Sequence, residues 1–277
     1  MVPAMTSKRS EHGAGHVREG VGGWNYAPWR GVFYPKGLKQ ADELAFATSH
    51  LTSIEINATH YRLQSAQSFR KWADTAPKDF VFSVKGPRIV TNRKALAENG
   101  DSVNRFIDSG LAELGDKLGP VLWQFPPFKK FDQTDFGKFL DLLPKTLDGR
   151  KLNHVVEVRH ASFSTPDFVK LLREHGVGVV YTDAETWPNI PDSTGDVVYA
   201  RLQCGDDKLE TAYPAVELDA WAGRAKTWAQ GSTPNDLPLL DPTHQAKAAP
   251  RDVFIYFIHE GKLCAPAAAM ALIERLT

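Results

Sequence analysis

Eight short apolar segments separated by helical patterns predict a single-domain (β/α)₈ barrel of the TIM type. The length of 277 residues supports this prediction, because a typical barrel of this kind has roughly 250. Each segment has the length of a strand and is rich in Val, Ile, Phe and Tyr, which favours parallel strands that are buried on both faces. The segments are residues 17–24, 53–57, 81–85, 121–125, 154–159, 177–183, 197–203 and 253–259.

Amphipathic patterns between these segments predict the helical layer. In residues 165–176, Thr165 is a typical N-cap, Pro166 suits the first turn and Gly176 follows the last turn. The stretch after Asp183 is short and interrupted by proline, so we expect the sixth helix to be degenerate. The other predicted helices cover residues 41–51, 65–76, 103–118, 134–145, 217–231 and 265–276.

Composition and charge restrict the function classes. Lys plus Arg and Asp plus Glu both number 33, so the net charge does not support binding to nucleic acid or a membrane, although nucleic acid stays possible. Cys204 and Cys264 suggest neither a disulfide framework nor a zinc motif. Residues 1–16 are polar and lack the apolar core of a signal peptide, which predicts a disordered tail on a cytoplasmic protein, with the barrel over residues 17–277. No apolar run approaches the length of a membrane span.

Polar and charged residues end the predicted strands, and barrels of this type build their active sites at the C-terminal strand ends. Side chains alternate between the two faces of a strand, so residues two apart share a face. Counting along each strand predicts a set of side chains that converges inside the barrel mouth. This set is Glu55, Asn57, Lys85, Gln124, Glu157, Arg159, Asp183, Arg201 and His259.

Three carboxylates of this set, Glu157, Asp183 and Glu55, are the predicted catalytic residues, because positioned carboxyl groups can act as general acid or general base. Glu157 and Arg159 lie two apart on one strand, which predicts a contact that keeps Glu157 ionised. The alternative is structural, since buried charges need partners and these carboxylates could pair with cations of the same mouth.

Three cations, Lys85, Arg159 and Arg201, predict an anion-binding site, because the planar guanidinium group matches phosphate and carboxylate. A lattice of internal salt bridges is the alternative. The predicted partner is therefore a small anionic molecule.

Several longer motifs resemble one protein family. They include GWNYAPWRGVFYP (23–35), EINATHYR (55–62), LWQFPPFKK (122–130), VEVRHASF (156–163) and YARLQCG (199–205), in that order. From about residue 20 to the end, the chain resembles the YecE-like family, also called domain of unknown function 72. The resemblance implies a TIM-like barrel but no reaction, because the activity of this family is not established.

The resemblance maps family motif positions onto Trp24 and Tyr61 as well as onto the charged strand ends. Trp24 is the best candidate for stacking on a sugar or base, with packing over the barrel rim as the alternative. The family usually has Phe at the position of His60 and an Asn-rich turn at that of His259, which weakens the mapping at the last strand. The predicted substrate-binding residues are Arg201, Arg159, Lys85, Asn57, Gln124, Trp24, Tyr61 and His259.

No metal ligands are predicted, because His60, His160 and His259 come from three different strand ends and no metal-binding spacing occurs. The sequence leaves the cofactor unidentified. The favoured hypothesis is an enzyme that acts by acid–base chemistry on a small anionic, phosphorylated sugar- or nucleotide-like substrate, in an isomerase-like or hydrolytic reaction. The alternatives are a glycoside hydrolase, a metal-dependent phosphodiesterase on nucleic acid and a non-catalytic binding module. Carboxylates locked in ion pairs would favour the binding module, whereas a shifted pKa in an open pocket would favour an enzyme.

Overall fold

Eight parallel strands form a closed barrel in the computed structural model, which describes residues 15–243 and 249–277 apart from the side chains of residues 259 and 260. Around the barrel the order is β1-β8-β7-β6-β5-β4-β3-β2, so strands that are consecutive in the sequence pair with each other and β1 closes on β8. The predicted barrel is confirmed. The strands are β1 (Val17–Gly22), β2 (Ser53–Ile56), β3 (Val81–Lys85), β4 (Leu118–Gln124), β5 (His154–Glu157), β6 (Gly178–Thr182), β7 (Val197–Cys204) and β8 (Asp252–Glu260).

Helices follow most strands and cover the outside of the barrel. The fully described stretch between β6 and β7 contains no helix, which confirms the predicted degenerate sixth unit. Within the described residues, none of the helices is long and apolar enough to cross a membrane. The helices are α1 (Glu43–His50), α2 (Ala58–Tyr61), α3 (Ala66–Thr75), α4 (Arg88–Thr91), α5 (Gly100–Ile107), α6 (Gln133–Asp141), α7 (Pro166–His175), α8 (Ala215–Ala229) and α9 (Ala265–Leu276).

The helix ends follow from local sequence. The hydroxyl of Ser65 accepts a hydrogen bond from a backbone N–H in the first turn of α3, and Thr165 does the same for α7. Pro166 occupies the first turn of α7, where its missing N–H costs nothing. Gly176 ends α7 with a φ of 66°, a left-handed conformation that glycine adopts without strain.

Strand alternation produces two apolar clusters. The outer cluster lies between strands and helices and includes Phe82, Trp123 and Val156. The inner cluster fills the barrel below the mouth, as expected for a packed barrel interior. Its members are Leu122, Val155, Val180, Val197, Tyr199, Phe254, Tyr256 and Ile258.

The alternation prediction is wrong for β6. The predicted inward position of Asp183 requires Tyr181, two residues earlier, to lie on the same face, but the Tyr181 ring packs against Trp221 and Trp228 of α8, with centroid distances of 5.7 and 6.2 Å. Val180 belongs to the inner cluster instead. Both faces of β6 are apolar, so its pattern does not distinguish inward from outward positions, and counting back from its polar end chose the wrong phase.

The last strand shows the same ambiguity. Tyr256 and Ile258 belong to the inner cluster, whereas Ile255 and Phe257 belong to the outer cluster. Residues two apart share a face, so an inward His259 requires Ile255 and Phe257 to be inward as well, and that is wrong for this pair. The side chain of His259 itself lies outside the described residues.

The predicted tail over residues 1–16 lies outside the described residues except for its last two. The Gly15 N–H donates to the Ala229 carbonyl at 2.9 Å, and the His16 N–H donates to Asp252 Oδ1 at 2.8 Å. These two residues therefore attach to the end of the barrel opposite the mouth.

Candidate functional site

The floor of the barrel mouth is an ion-pair network centred on Arg201 of β7. The Arg201 Nε donates to Glu55 Oε2 at 3.0 Å, and Nη2 donates to Glu55 Oε1 at 3.1 Å. The Arg201 Nη1 donates to Glu157 Oε2. All three side chains are buried. Closure of the barrel brings them together because they occupy inward positions near the ends of β2, β5 and β7.

Glu157 has two more partners. Gln124 Nε2 and Arg159 Nε donate to its Oε1 at 2.8 and 2.7 Å, which confirms the predicted contact with Arg159. Burial raises the pKa of Glu157, but the charges of Arg201 and Arg159 outweigh burial and lower this pKa to about 2. Glu157 is therefore ionised at neutral pH and cannot donate a proton there.

Hydroxyl groups support the floor from below. The Tyr199 hydroxyl donates to Glu55 Oε2 at 2.7 Å and lies 2.9 Å from Ser83 Oγ. Deeper in the barrel, Ser53 Oγ lies 2.6 Å from the Tyr256 hydroxyl. Burial and the charge of Glu55 raise the pKa of Tyr199, so its hydroxyl stays protonated. Every carboxylate oxygen of the floor thus has a hydrogen-bond partner. Both glutamates are held in ion pairs, which is the structural alternative that the sequence left open.

A cavity of about 630 Å³ opens above the floor, a size in the range of small-molecule sites. Among the described residues that line it, the charged ones are all cations: Lys85, Arg159, Arg201 and Lys262. The two floor glutamates lie beneath Arg201 and do not line the cavity. Four side-chain amides add hydrogen-bonding groups to the walls, those of Asn25, Asn57, Gln124 and Gln203.

Lys85 ends β3 and reaches this cavity although its side chain is only 7% exposed. Among the described residues, its ammonium has no hydrogen-bond or ion-pair partner. Burial lowers the pKa of Lys85 to about 8, the charge of Arg201 adds to this effect, and Glu55 and Glu157 oppose it. Lys85 therefore exchanges protons close to neutral pH.

Aromatic side chains form part of the rim. Trp24 lines the cavity and also packs edge-on against Trp72, with ring centroids 5.3 Å apart. Tyr61 lines the cavity and is 70% exposed, with the Arg88 guanidinium 5.6 Å from its ring centre. Both rings therefore keep a surface that a ligand can reach.

Asp183 is not among the residues that line the cavity. Its Oδ1 accepts from the Gln203 backbone N–H at 2.5 Å, and its Oδ2 accepts from the Tyr213 hydroxyl at 2.9 Å. Burial raises the pKa of Asp183. Thr182, two residues after the inward Val180, occupies the inward position that was predicted for Asp183. Its hydroxyl accepts a hydrogen bond from Gln203 Nε2 at 2.8 Å. The structure therefore does not bring Asp183 and Glu157 into one pocket, as the predicted proton-transfer pair requires.

The sequence analysis missed three polar residues that line the cavity. Gln203 lies two after Arg201 on β7, so the alternation used for Arg201 could have identified it. Asn25 lies in the aromatic turn after β1, and Lys262 lies in the turn after β8. Turn residues have no face periodicity, so no pattern indicated these two.

Two of the three histidines that were considered as metal ligands, His60 and His160, make local hydrogen bonds. His60 Nδ1 lies 2.9 Å from the Gly86 carbonyl oxygen, and His160 Nδ1 accepts from the Ser162 N–H at 3.1 Å. In the part of the chain that the structure describes, no three His, Cys, Asp or Glu side chains lie together as a possible metal site. These residues therefore give no basis for assigning a metal.

Comparison with protein families gives a match over residues 18–277 to "Protein of unknown function DUF72". The chain belongs to the DUF72 family. A solved DUF72 structure from Thermotoga maritima MSB8 superposes with a TM-score of 0.67 at 24% identity, over 93% of this chain and 97% of that one. A DUF72 protein from Enterococcus faecalis V583 gives a TM-score of 0.67 at 16% identity, over 96% and 99% of the two chains. At these identities, both likenesses show that DUF72 members share the barrel fold.

A curated DUF72-like relative is the UPF0759 protein YunF of Bacillus subtilis (strain 168). It is 30% identical over 114 residues, which is 39% of this chain and 39% of the relative. The match thus spans about two fifths of the length of that relative. The family assignment supplies no reaction, so a proposal for this DUF72 member depends on the geometry of its own site.

Proposed function

We propose that the barrel mouth binds a small anionic molecule, of the phosphorylated sugar or nucleotide kind, and acts on it by acid–base chemistry. The observation that carries this proposal is the sign of the charges that face the cavity. Four cations line it, and no carboxylate among the described side chains does. A cleft with low-dielectric walls that carries charges of one sign concentrates ligands of the opposite charge.

Arg201 is the side chain best placed to donate hydrogen bonds to a bound anion. Three of its N–H groups bind Glu55 and Glu157, which leaves two of the five that a guanidinium carries. The glutamates hold the guanidinium plane in one orientation, so little side-chain entropy is lost when a ligand binds. Glu55 and Glu157 therefore serve as positioning residues for Arg201 in this proposal, and the amides of Asn57 and Gln124 orient the ligand.

Lys85 supplies the proton transfer in this proposal. General acid–base catalysis is most efficient when the pKa of the catalytic group lies near the working pH. A pKa of about 8 meets this condition for Lys85, whereas the pKa of about 2 places Glu157 far from it. The role that the sequence analysis gave to carboxylates thus passes to the lysine.

The arrangement also bears on two alternative functions, a glycoside hydrolase and a non-catalytic binding module. A glycoside hydrolase needs carboxyl groups that face the sugar, and Glu55 and Glu157 are sealed beneath Arg201. Locked carboxylates favour a pure binding module, but a buried ammonium without a partner costs stability. A binding scaffold would avoid that cost with a paired arginine, so Lys85 favours an enzyme.

Calorimetry with inorganic phosphate, and with ribose 5-phosphate against ribose, tests the anion site. Phosphate-bearing ligands should bind and ribose should not. Lys262→Gln removes a cation that lines the cavity and should weaken binding roughly tenfold, because a hydrogen bond to a charged group contributes about 1.5–3 kcal/mol. Lys36→Gln removes an exposed lysine outside the cavity and should have no effect. Equal losses in the two variants, or no phosphate binding at all, would contradict the proposal.

A second candidate ligand is a nucleic acid strand, and the exposed part of the mouth favours it. Two aromatic side chains on the loops around the mouth are each 70% exposed, Tyr61 after β2 and Phe128 after β4. Lys129 Nζ ties the loops after β3 and β4 together by donating to the Lys94 carbonyl at 2.6 Å. Aromatic rings among cations are the usual platform for single strands. The exposed cations of these loops are Arg62, Arg88, Arg93, Lys94 and Lys130.

Fluorescence anisotropy with a labelled oligothymidylate of about 15 nucleotides tests this candidate, since single-strand sites cover roughly 4–16 nucleotides. Tyr61→Ala and Phe128→Ala should each weaken binding about tenfold or more, because stacking of one base contributes about 1–3 kcal/mol. Leu209→Ala, on the acidic loop after β7, is the matched exposed control. Affinity that is unchanged in all three variants would remove this candidate.

A further inference from the structure

We infer that Lys85 is a nucleophilic amine that forms an imine with the aldehyde or ketone group of a phosphorylated ligand held in the barrel mouth. This inference rests on the anion site proposed above, replaces simple proton transfer by Lys85 with covalent catalysis, and names the substrate class of that site as phosphorylated carbonyl compounds.

The position of Lys85 supplies the first part of the argument. It ends β3 on the inward face, two residues after Ser83, which contacts the Tyr199 hydroxyl inside the barrel. Its side chain is buried on all sides except toward the cavity that it lines. A ligand in the cavity therefore meets the amine from the one direction that is open.

The surroundings of Lys85 supply the second part. Arg201 and Arg159 bind Glu157, and Arg201 also binds Glu55, so both floor carboxylates are already paired with guanidinium groups and neither forms an ion pair with Lys85. With a pKa of about 8, roughly a tenth of the molecules carry an uncharged amine at about pH 7, against fewer than about one in a thousand for an ordinary lysine. Only the uncharged amine has the lone pair that attacks a carbonyl carbon.

The other cations of the cavity are suited to holding a phosphate and not to this chemistry. Arg159 and Arg201 stay protonated at all relevant pH values. Burial lowers the pKa of Lys262 as well, but its ammonium lies 4.5 Å from the centre of the Tyr26 ring, a contact that favours the charged form. A phosphate held by these three groups would place an attached carbonyl beside Lys85.

The step balances without an oxidant or reductant. The nitrogen lone pair forms a bond to the carbonyl carbon, the carbonyl π electrons move to the oxygen, and one nitrogen proton passes to this oxygen to give a carbinolamine. The carbinolamine hydroxyl takes up a second proton and leaves as water while the nitrogen lone pair forms the C=N bond, and the nitrogen then releases its remaining proton to give the neutral imine. One amine and one carbonyl group thus give one imine and one water. When protonated, the imine withdraws electrons from the adjacent carbon and makes its C–H bond more acidic.

Pyridoxal 5′-phosphate, which carries both an aldehyde and a phosphate, is the probe that tests the inference. The full-length protein is incubated with the probe and reduced with borohydride, which converts an imine into a stable secondary amine, and the adduct is located by peptide mass spectrometry. We expect one dominant adduct at Lys85, at least tenfold less labelling by pyridoxal, which lacks the phosphate, and competition by inorganic phosphate.

Two variants make the result specific. Lys85→Arg keeps the positive charge but has no amine that forms an imine, so the adduct should disappear while phosphate binding persists in calorimetry. Lys36→Arg is the matched surface control and should leave the adduct at Lys85 in place. Labelling that is spread over surface lysines and unchanged in Lys85→Arg would overturn the inference. Phosphate binding without any Lys85 adduct would overturn it while leaving the proposed anion site intact, whereas absent phosphate binding would overturn both.

Discussion

Arg201 and Glu55 meet through two parallel hydrogen bonds, from Nε to Oε2 at 3.0 Å and from Nη2 to Oε1 at 3.1 Å, in the buried floor of the barrel mouth. The same guanidinium also binds Glu157. Arg201 is therefore shared by two buried carboxylates, and among the described residues it is the ion-pair partner of Glu55 while Glu157 also pairs with Arg159.

Replacement of Arg201 should destabilise the fold strongly. Arg201→Met leaves Glu55 and Glu157 buried without their shared cation, and breaking a buried ion pair from one side costs about 3–5 kcal/mol in free energy of unfolding. Chemical denaturation measures this loss. Arg62→Met, at an exposed arginine of the same mouth, should change the free energy by less than about 0.5 kcal/mol.

The loss should be recovered when the orphaned charges are removed as well. Arg201→Met combined with Glu55→Gln and Glu157→Gln should be more stable than Arg201→Met alone, because the amides need no counter-charge. If the triple variant is no more stable than the single one, the cost comes from packing and not from uncompensated charge.

Acid should weaken the fold through Glu157. Its pKa in the folded protein is lowered to about 2, below the value near 4.3 expected for an unfolded chain. The stabilisation is therefore fully present above about pH 4.3 and is lost as the pH falls toward about 2, with a magnitude on the order of 3 kcal/mol. Denaturation at several pH values in this window should show a steeper decline for the wild type than for Glu157→Gln. Parallel declines would contradict the assignment.

Anion binding should weaken in mild alkali through Lys85. Its pKa of about 8 means that the ammonium loses its charge as the pH rises through that value, so the attraction for an anion falls. Sulfate is the suitable ligand because its own charge does not change in this range. In Lys85→Arg the charge is permanent, and sulfate affinity measured by calorimetry should stay level across about pH 7–9. A wild-type affinity that is equally level would show that the charge of Lys85 does not contribute to the attraction for the anion.

Asp183 should be dispensable for ligand binding. Its carboxylate accepts from the Gln203 backbone and the Tyr213 hydroxyl and does not line the cavity. We expect Asp183→Asn to bind phosphate within about twofold of wild type while losing about 1 kcal/mol of stability from the weakened hydrogen bonds. A tenfold loss of phosphate affinity, measured by calorimetry on a folded variant, would return Asp183 to the site.

The sequence predicted the barrel and much of the floor because a period-two pattern and a closed sheet leave few choices. Glu55, Glu157 and Arg201 could be placed together from strand ends alone. The sequence could not show that Arg201 lies above both carboxylates, because this depends on how far along the barrel axis each side chain reaches from its own strand. It also misplaced Asp183, since an apolar strand without a following helix does not reveal which face is inward, and Lys262 lies in a turn with no periodicity.

The compensated floor has a consequence for ligand release. Four cations at the mouth, Lys85, Arg159, Arg201 and Lys262, stand against the two floor carboxylates, so about half of the positive charge is compensated. A ligand with one phosphate group would be held by a few oriented donors and a weak field, which permits fast dissociation. A triphosphate would meet too little opposing charge to repay its lost hydration. We therefore expect the mouth to favour ligands with a single phosphate and to release them readily.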